Sequence, residues 1–365
     1  MDEGLSGLTL CIINHNGEPY LRDTLAAATA NHQPFDEVLL VDNASTDGGL
    51  DIARECFPAV RILRLGRNRG PGPARNAGAR EAGNDRILFI DNDVVLLPGC
   101  AELLCGALDA RQEATFAMPA VLYAKRAGTV QYDGAGAHFV GLMIIENADL
   151  PVQELSTAPR EIDSLITACF LTDRGRWGED PLFDDAFFLY FEDHELGLRA
   201  RLRGHAILSV PAARCLHREG SIGVSLRQTG AYTAVRVRNT MLNRWRILLK
   251  LYELRTLLLL SPALVSFEVF QFTGALAKGW LCHWLWAAVE LAWRLSKIGV
   301  GRRAFQRHRC LGDGDVLTGG PLPFNPALST GRLGRLAQGL LGRVAELNWK
   351  LAHRFLRRSI AGNPA

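Results

Sequence analysis

No two of the eight cysteines (Cys11, Cys56, Cys100, Cys105, Cys169, Cys215, Cys282 and Cys310) form a C-x-x-C pair. That removes a thiolate zinc site and a dithiol redox motif, and the scattered spacing is not that of a secreted disulfide framework. The cysteines read as buried thiols. Internal repeats and low-complexity segments are missing too, so the pattern is neither solenoid nor linker. The residues from Met1 to Gly7 are acidic and polar. They lack the basic start and apolar stretch of a secretory signal, which predicts a catalytic part that stays in the cytosol. What is abundant is apolar residues, 48% of 365, enough for one large core or two smaller ones.

The net charge of +3 conceals an asymmetry. Residues 294–365 carry 13 Lys and Arg against 3 Asp and Glu, so the preceding 293 residues are net acidic. This predicts an enzyme body joined to a basic tail that seeks anions. A nucleic-acid partner is not expected, because the basic residues cluster in an amphipathic tail while the candidate site is acidic.

Over the first hundred residues, short β-rich runs alternate with helical patterns. The runs are Leu8 to Ile13, Glu37 to Val41, Val60 to Leu63 and Arg86 to Ile90, and the helical segments are Tyr20 to Ala30, Gly49 to Phe57 and Pro73 to Ala82. Such alternation predicts a parallel α/β sheet, whose ligands sit beyond the carboxyl ends of the strands. Three of the four runs are followed directly by Asn or Asp: Asn14, Asp42 and Asp91. The middle of the chain has shorter strand-like pieces, a Gly134-Ala-Gly136 stretch and a helix-like segment from Glu192 to Arg203.

Four clusters carry chemistry. After the second run, Asp42 is placed to accept hydrogen bonds from a base or ribose; Asp47 beyond it is either part of that site or an N-cap of the following helix. After the third, Asn68 to Gly78 is a loop whose amides and Arg75 could meet phosphate at a helix N-terminus. It is not a dinucleotide fingerprint, because Gly70-x-Gly72 lacks a third glycine at the required spacing and follows the third strand. After the fourth, Asp91-Asn92-Asp93 places two carboxylates so close that alternation would aim both to one side, where Mg²⁺ or Mn²⁺ could bridge them to phosphate oxygens; a solvated acidic loop is the plainer reading. Much later, the aromatic run Phe187 to Phe191 leads into Glu192-Asp193. It offers a partly dry wall in which a carboxylate could act as general base; an acidic helix N-terminus is the plainer reading. His217 could complete a metal or diphosphate site or be structural.

The ordered set of these motifs, from about Leu8 to Lys250, resembles family 2 of the inverting glycosyltransferases, especially rhamnosyltransferase-like members. It rests on Ile13-Asn-His-Asn16, Val41 to Asp47, Asn68-Arg-Gly through Gly78, Asp91-Asn-Asp93, Phe191 to Asp193 with Glu195-Leu196, and His217 to Ser221. The resemblance implies an α/β GT-A fold, a Rossmann-like mixed sheet, over residues 1–250. Within it, residues 1–114 would be the nucleotide-binding half and 115–250 the acceptor side. It further implies Asn14, Asp42, Asn68, Arg75 and Asp91 at the nucleotide-diphosphate sugar donor, with Asp42 on the base and Asp91 on the ribose or metal. Asp93, with Asp91 and His217, would hold Mg²⁺ or Mn²⁺, and Asp193 would be the catalytic base. Glu192 and Cys169, the latter in Thr167-Ala-Cys-Phe170, would lie on the acceptor side. Pro71 and Pro73 depart from many members, which leaves the donor sugar open. The rival readings are a nucleotide-sugar-binding scaffold without turnover and a Rossmann-type oxidoreductase.

Residues 251–365 are expected to form a helical, membrane-associated region. In the segment from Arg332 to Arg358, Leu333, Leu336, Leu340, Val344, Leu347, Leu351 and Phe355 share one helical face, flanked by basic residues, as in a helix that either lies in an anionic lipid interface or packs on the enzyme body. The run from Thr256 to Ala277 is long enough to span a bilayer, but Glu268 would cost about 2.5–3.5 kcal/mol at its centre and Pro262 interrupts it. Helices within one leaflet, with Trp280, Trp284, Trp286 and Trp293 at the interface, fit better. The expected location is therefore the cytoplasmic face of the cell membrane, next to a carbohydrate or lipid-linked acceptor.

Overall fold

The computed structural model describes residues 7–30, 35–218, 233–324 and 332–356. Its first part reads β1 (Leu8–Asn14), α1 (Glu18–Ala28), β2 (Glu37–Asp42), α2 (Gly49–Cys56), β3 (Arg61–Arg64), α3 (Pro71–Glu81), β4 (Arg86–Asp91), β5 (Val94–Leu96) and α4 (Cys100–Ala110). Then come β6 (Ala114–Tyr123), β7 (Val130–Tyr132), β8 (Gly134–His138), β9 (Leu142–Glu146), β10 (Arg160–Glu161), β11 (Cys169–Asp173), α5 (Arg174–Trp177), α6 (Glu192–Leu202) and β12 (Ala206–His217). The remainder is helical: α7 (Ala234–Leu251), α8 (Leu254–Leu259), α9 (Ser261–Ala277), α10 (Leu281–Arg307), α11 (Asp313–Val316) and α12 (Arg332–Leu356).

One sheet has strand order β10-β12-β6-β11-β4-β1-β2-β3, with β5 added on β12 and β7 on β6. Strands β3, β2, β1 and β4 run parallel, as the alternating pattern predicts, and β11 then enters antiparallel between β4 and β6. The sheet is therefore mixed. Strands β1 and β6 are buried at every residue, and the stacked rings of Phe89 and Phe170 (centroids 5.1 Å apart) join β4 to β11. Two strands are longer than their sequence patterns suggest: β6 has 10 residues and β12 has 12, so His217 is the last residue of a strand instead of lying beyond one.

The chain divides into two compact units. The first holds residues 1–135, 145–197 and 205–220, and the second holds 136–144, 198–204 and 221–365. In the second unit, α10 packs on α7 and α12 on α9. Arg244 is buried there; it donates to the Val140 carbonyl (2.7 Å), pairs with Glu268 and lies over the Phe267 ring (4.2 Å). Arg302 and Arg309 donate to the carbonyls of Leu249, Leu251 and Tyr252, groups that the end of α7 would otherwise leave without partners. These two arginines of the basic tail thus serve a helix end and not an external anion.

Helix α12 has two apolar faces. Leu341, Ala345, Trp349, Ala352 and Leu356 are buried, with Trp349 stacked on Phe139 at 4.8 Å. Of the stripe identified in the sequence, Leu336, Leu340, Leu347, Leu351 and Phe355 are exposed and Val344 is half-buried; the Leu333 side chain and Arg357 lie outside the described residues. Among the described residues no helix is long and apolar enough to cross a membrane. Pro262 sits in the first turn of α9, where its missing N–H costs nothing, and α8 ends before it. Five cysteines are buried as expected, but Cys56, Cys282 and Cys310 are exposed because they lie on helices or a loop near solvent.

Candidate active site

Parallel pairing aligns strand ends, and here Asn14 pairs with Asp42 while Ile13 pairs with Asp91. Three polar residues picked out by their place in the sequence therefore meet along one sheet edge. Asn14 donates to Asp42 Oδ1 and to Ser45 Oγ, both at 3.1 Å, and accepts from Asn92 at 2.8 Å. Asp42 also accepts from the Ser45 amide (3.2 Å). Both residues are fully buried. Asn14 and Asp42 were expected at the donor; in the ligand-free chain all of these bonds are internal, and the pair fixes the 43–47 loop. Asp47 is not the N-cap of α2, a place held by Gly48, although its Oδ1 accepts from the Gly49 amide (3.2 Å). Its Oδ2 accepts from the Glu18 amide (2.8 Å) at the start of α1, while the Glu18 carboxylate accepts from the Gly48 amide (2.9 Å).

The next loop is held by Asn43, which donates to Asn68 Oδ1 (3.0 Å) and to the Gly70 carbonyl (3.1 Å); Asn68 itself is exposed. Gly70 has φ +90°, and a Cβ there would lie 1.9 Å from the Phe188 carbonyl oxygen. Only glycine permits that approach. Asn76 continues the seam, exchanging hydrogen bonds with the Phe183 backbone (2.8 and 2.9 Å). The loop before α3 is thereby tied to the aromatic segment that leads into α6.

Arg75, expected at the donor, is turned into the protein. It is 1% exposed, pairs with Asp91, and donates to the Thr167 carbonyl (2.8 Å), while its Nε and Nη1 are buried without partners. Asp91 keeps a third of its side-chain surface accessible, yet burial by the surrounding protein pushes its carboxyl up to about 6, against the lowering pull of Arg75 and with the charge of Asp93 adding to the rise.

Beyond Asp91 the chain turns, and Asp93 lies in the turn before β5 instead of on the same strand. Asp91, Asp93 and His217 were expected to share one cation. Among the described residues no three or more His, Cys, Asp or Glu side chains converge as a metal ligand set, and the reason is visible: Asp91 is turned to Arg75. Asp93 Oδ2 instead lies 3.3 Å from His217 Nε2, and His217 Nδ1 lies 2.8 Å from Gln131 Oε1. This pair suits a hard or borderline divalent ion that keeps most of its positions for substrate oxygens. Glu219 to Ser221, the rest of that motif, lie outside the described residues.

The aromatic run does more than dry the site. Tyr190 and Phe191 both have positive φ, 68° and 69°, a conformation that costs non-glycine residues about 1–3 kcal/mol each. It places Glu192 and Asp193 on the first turn of α6, where Asp193 Oδ1 accepts from the His194 amide (2.7 Å). Burial holds both carboxyls above the usual carboxylate range, and their mutual repulsion raises Glu192 further. One oxygen of Glu192 is buried with no partner. The charge of Arg75 acts on both, as does that of Asp91, so one buried guanidinium serves three carboxylates. That imbalance fits a site completed by a cation.

Cys169, expected on the acceptor side, sits within the sheet. It is fully buried on β11, opposite Ile90, with its thiol against those of Cys100 and Cys215. Two residues that the sequence reading passed over do belong here. Gln131 holds His217, and Tyr132 has a buried, partnerless hydroxyl within reach of the charges on Asp91 and Asp193. The run Gln131-Tyr132-Asp133 just before the glycine stretch was the available signal.

Residues 9–135 match Glycosyl transferase family 2. The N-acetylglucosaminyl-diphospho-decaprenol L-rhamnosyltransferase of Mycobacterium tuberculosis is 28% identical over 232 residues, covering 58% of this chain and 75% of the relative. The succinoglycan biosynthesis protein ExoO of Rhizobium meliloti is 34% identical over 92 residues, 25% of this chain and 26% of that protein. Among solved structures, GalNAc-T7 with UDP, GalNAc and Mn²⁺ has a TM-score of 0.56 at 17% identity, over 81% of this chain and 58% of that one. S. aureus TarS has a TM-score of 0.51 at 14% identity, over 94% of this chain and 55% of that one. At such identities the structures speak to the fold, a GT-A-like mixed α/β domain. Over residues 9–135 the chain therefore matches a glycosyl transferase family 2 domain. Its homology is to a rhamnosyltransferase.

Proposed function

We propose that this glycosyltransferase moves a hexose or deoxyhexose from a nucleoside diphosphate onto a hydroxyl of a lipid-linked carbohydrate, with Asp193 as base. The observation that carries it is the set of carboxylates at the carboxyl edge of the sheet, faced by one buried arginine. The donor would lie across the loops fixed by Asn14, Asp42 and Asn43, near Asn68 and the accessible part of Asp91. Asp93 and His217 would hold Mg²⁺ or Mn²⁺, which when bound supplies a Lewis acid to the diphosphate oxygens.

Asp193, held above the usual carboxylate range by burial, is a stronger base than a surface carboxylate once ionised. It takes the proton of the acceptor hydroxyl as that oxygen bonds to the anomeric carbon. The bond to the diphosphate breaks on the opposite face, its electron pair leaves with the phosphate oxygen, and configuration inverts. Arg75 keeps Asp91 in place, and Glu192 beside Asp193 borders the acceptor.

The acceptor class rests on the mycobacterial relative, whose name specifies a diphospho-decaprenol lipid, and on the second unit of this chain. There Val265, Val269, Leu276, Val289, Trp293 and the outer stripe of α12 are exposed; Lys278 follows the end of α9, Arg294 lies on α10, and Arg343 and Arg354 lie on α12. Exposed apolar surface with basic neighbours is the chemistry of an anionic lipid interface, which would set the enzyme on the cytoplasmic face of the membrane. Nucleoside diphosphate release is to be followed across a panel of nucleotide sugars with Mg²⁺ or Mn²⁺ and membrane lipid extract as acceptor. Release with one donor, lost in Asp93→Ala and Asp193→Asn, is expected. Stabilisation by a nucleotide sugar without any release would favour a binding scaffold instead.

A further inference from the structure

Strands β7 and β12 flank β6 on opposite edges: Val121 pairs with Tyr132 on one side and Cys215 on the other, and Leu122 pairs with Val130 and Leu216. Between Tyr132 and Val130 the register of β7 slips, so Gln131 is the extra residue of a β-bulge. Bulges re-aim a side chain out of the regular alternation. Here the re-aimed amide is 3% exposed, and its Oε1 lies 2.8 Å from Nδ1 of His217, the last residue of β12.

An amide oxygen has no proton to give, so the proton of a neutral His217 must sit on Nδ1. Nε2 is then left with its lone pair, and Nε2 is the atom 3.3 Å from Asp93 Oδ2. Two acceptors at that distance repel unless a proton or a metal cation shares them. We propose that Gln131 is a positioning residue for a divalent cation: by fixing the tautomer and ring orientation of His217, it aims Nε2, together with Asp93, at Mg²⁺ or Mn²⁺. The backbone supports the same aim, because the His217 carbonyl accepts from the Ala124 amide (3.1 Å) and the Asp93 carbonyl accepts from the Arg218 amide (3.0 Å). The inference rests on the reading of Asp93 and His217 as the cation's protein ligands, and adds the group that orients one of them.

The test is Mn²⁺ binding in the presence of UDP or dTDP, read from the electron paramagnetic resonance of free Mn²⁺, with spin-echo nitrogen modulation reporting histidine ligation. In Gln131→Leu, which keeps bulk and loses the acceptor, the Mn²⁺ dissociation constant should rise about 10–100-fold with weakened nitrogen modulation. In Gln131→Glu, which keeps an acceptor on Nδ1, binding should stay within about threefold of wild type or tighten. Should the leucine variant fail to fold, the glutamate variant still decides: a loss of affinity there overturns the proposal. If Gln131→Leu binds like wild type while His217→Ala and Asp93→Asn lose affinity, the positioning role is overturned and the metal reading stands. If neither His217→Ala nor Asp93→Asn alters Mn²⁺ binding, the metal reading itself falls, and the role of Gln131 with it.

Discussion

The first unit of the chain hides charge, whereas the second shows grease. In the first, Asp42, Asp93, Glu192 and Arg75 are buried, and among the described residues its exposed large apolar side chains are Leu103 and Phe188. In the second, the helices from α8 to α12 expose Leu258, Val289, Trp293, Leu336 and many more. Each inverts the ordinary preference of a soluble domain, and each inversion costs free energy unless something outside the chain satisfies it. A cation and a polar substrate would satisfy the buried carboxylates, and on the proposed function a lipid surface would cover the exposed apolar helices. The same contrast separates where chemistry is done from where the acceptor would be met.

The sharpest way to break the comparison is to remove the base. Asp193→Asn keeps shape and the acceptor for the His194 amide but cannot take a proton, so kcat should fall by about 10²–10⁴-fold with nucleotide binding little changed. Equal losses in nucleotide affinity would make Asp193 a donor-binding group instead. The second unit has its own buried charge, and Glu268→Ala tests it by leaving Arg244 without its carboxylate. Stability should drop by about 3 kcal/mol, seen as an early unfolding transition in a denaturant series. An unchanged midpoint would mean that the Val140 carbonyl alone satisfies that guanidinium. A smaller effect is expected at the outer surface. Trp293 is 85% exposed, and Trp293→Ser should weaken binding to phosphatidylglycerol vesicles about tenfold without altering the unfolding transition. Equal binding to neutral phosphatidylcholine would remove the electrostatic half of the membrane argument.

What could be read from the sequence follows the range of the interactions involved. Strands β1, β2 and β4 and the polar residues at their ends were legible because alternation and position are local properties, and Asn14, Asp42 and Asp91 do line one edge. Which of them stay accessible was not legible, since it depends on partners such as Ser45 and Arg75 brought up by the fold. Glu268 counted in the sequence only as a cost to crossing a bilayer, because its partner, Arg244, lies 24 residues away on another helix. Gln131 and His217 are 86 residues apart and meet only through their common neighbour β6. The stripe on α12 was found, but the second face, with Ala345 and Ala352 between larger side chains, was not, because small residues carry little hydrophobic signal.

The smallest effect concerns how the buried charge of the first unit is tolerated without ligands. The Asp91 carboxyl lies at about 6 in the folded protein, against an ordinary 3.8, chiefly because burial disfavours its charged form. Between those values the native protein holds a proton that the unfolded chain has released, so stability falls as pH rises through this window and levels off above it. Glu192 and Asp193 are displaced in the same direction and should add to the slope. The contribution of Asp91 is modest, since a third of its side chain stays in contact with solvent and Arg75 offsets part of the burial. Thermal unfolding of the ligand-free protein should therefore show a melting temperature that declines from about pH 4 to about pH 8, with a shallower decline below about pH 6 in Asp91→Asn. Parallel curves for wild type and variant would mean that Asp91 titrates like a surface carboxylate, and the first unit would then store less electrostatic stress than its geometry implies.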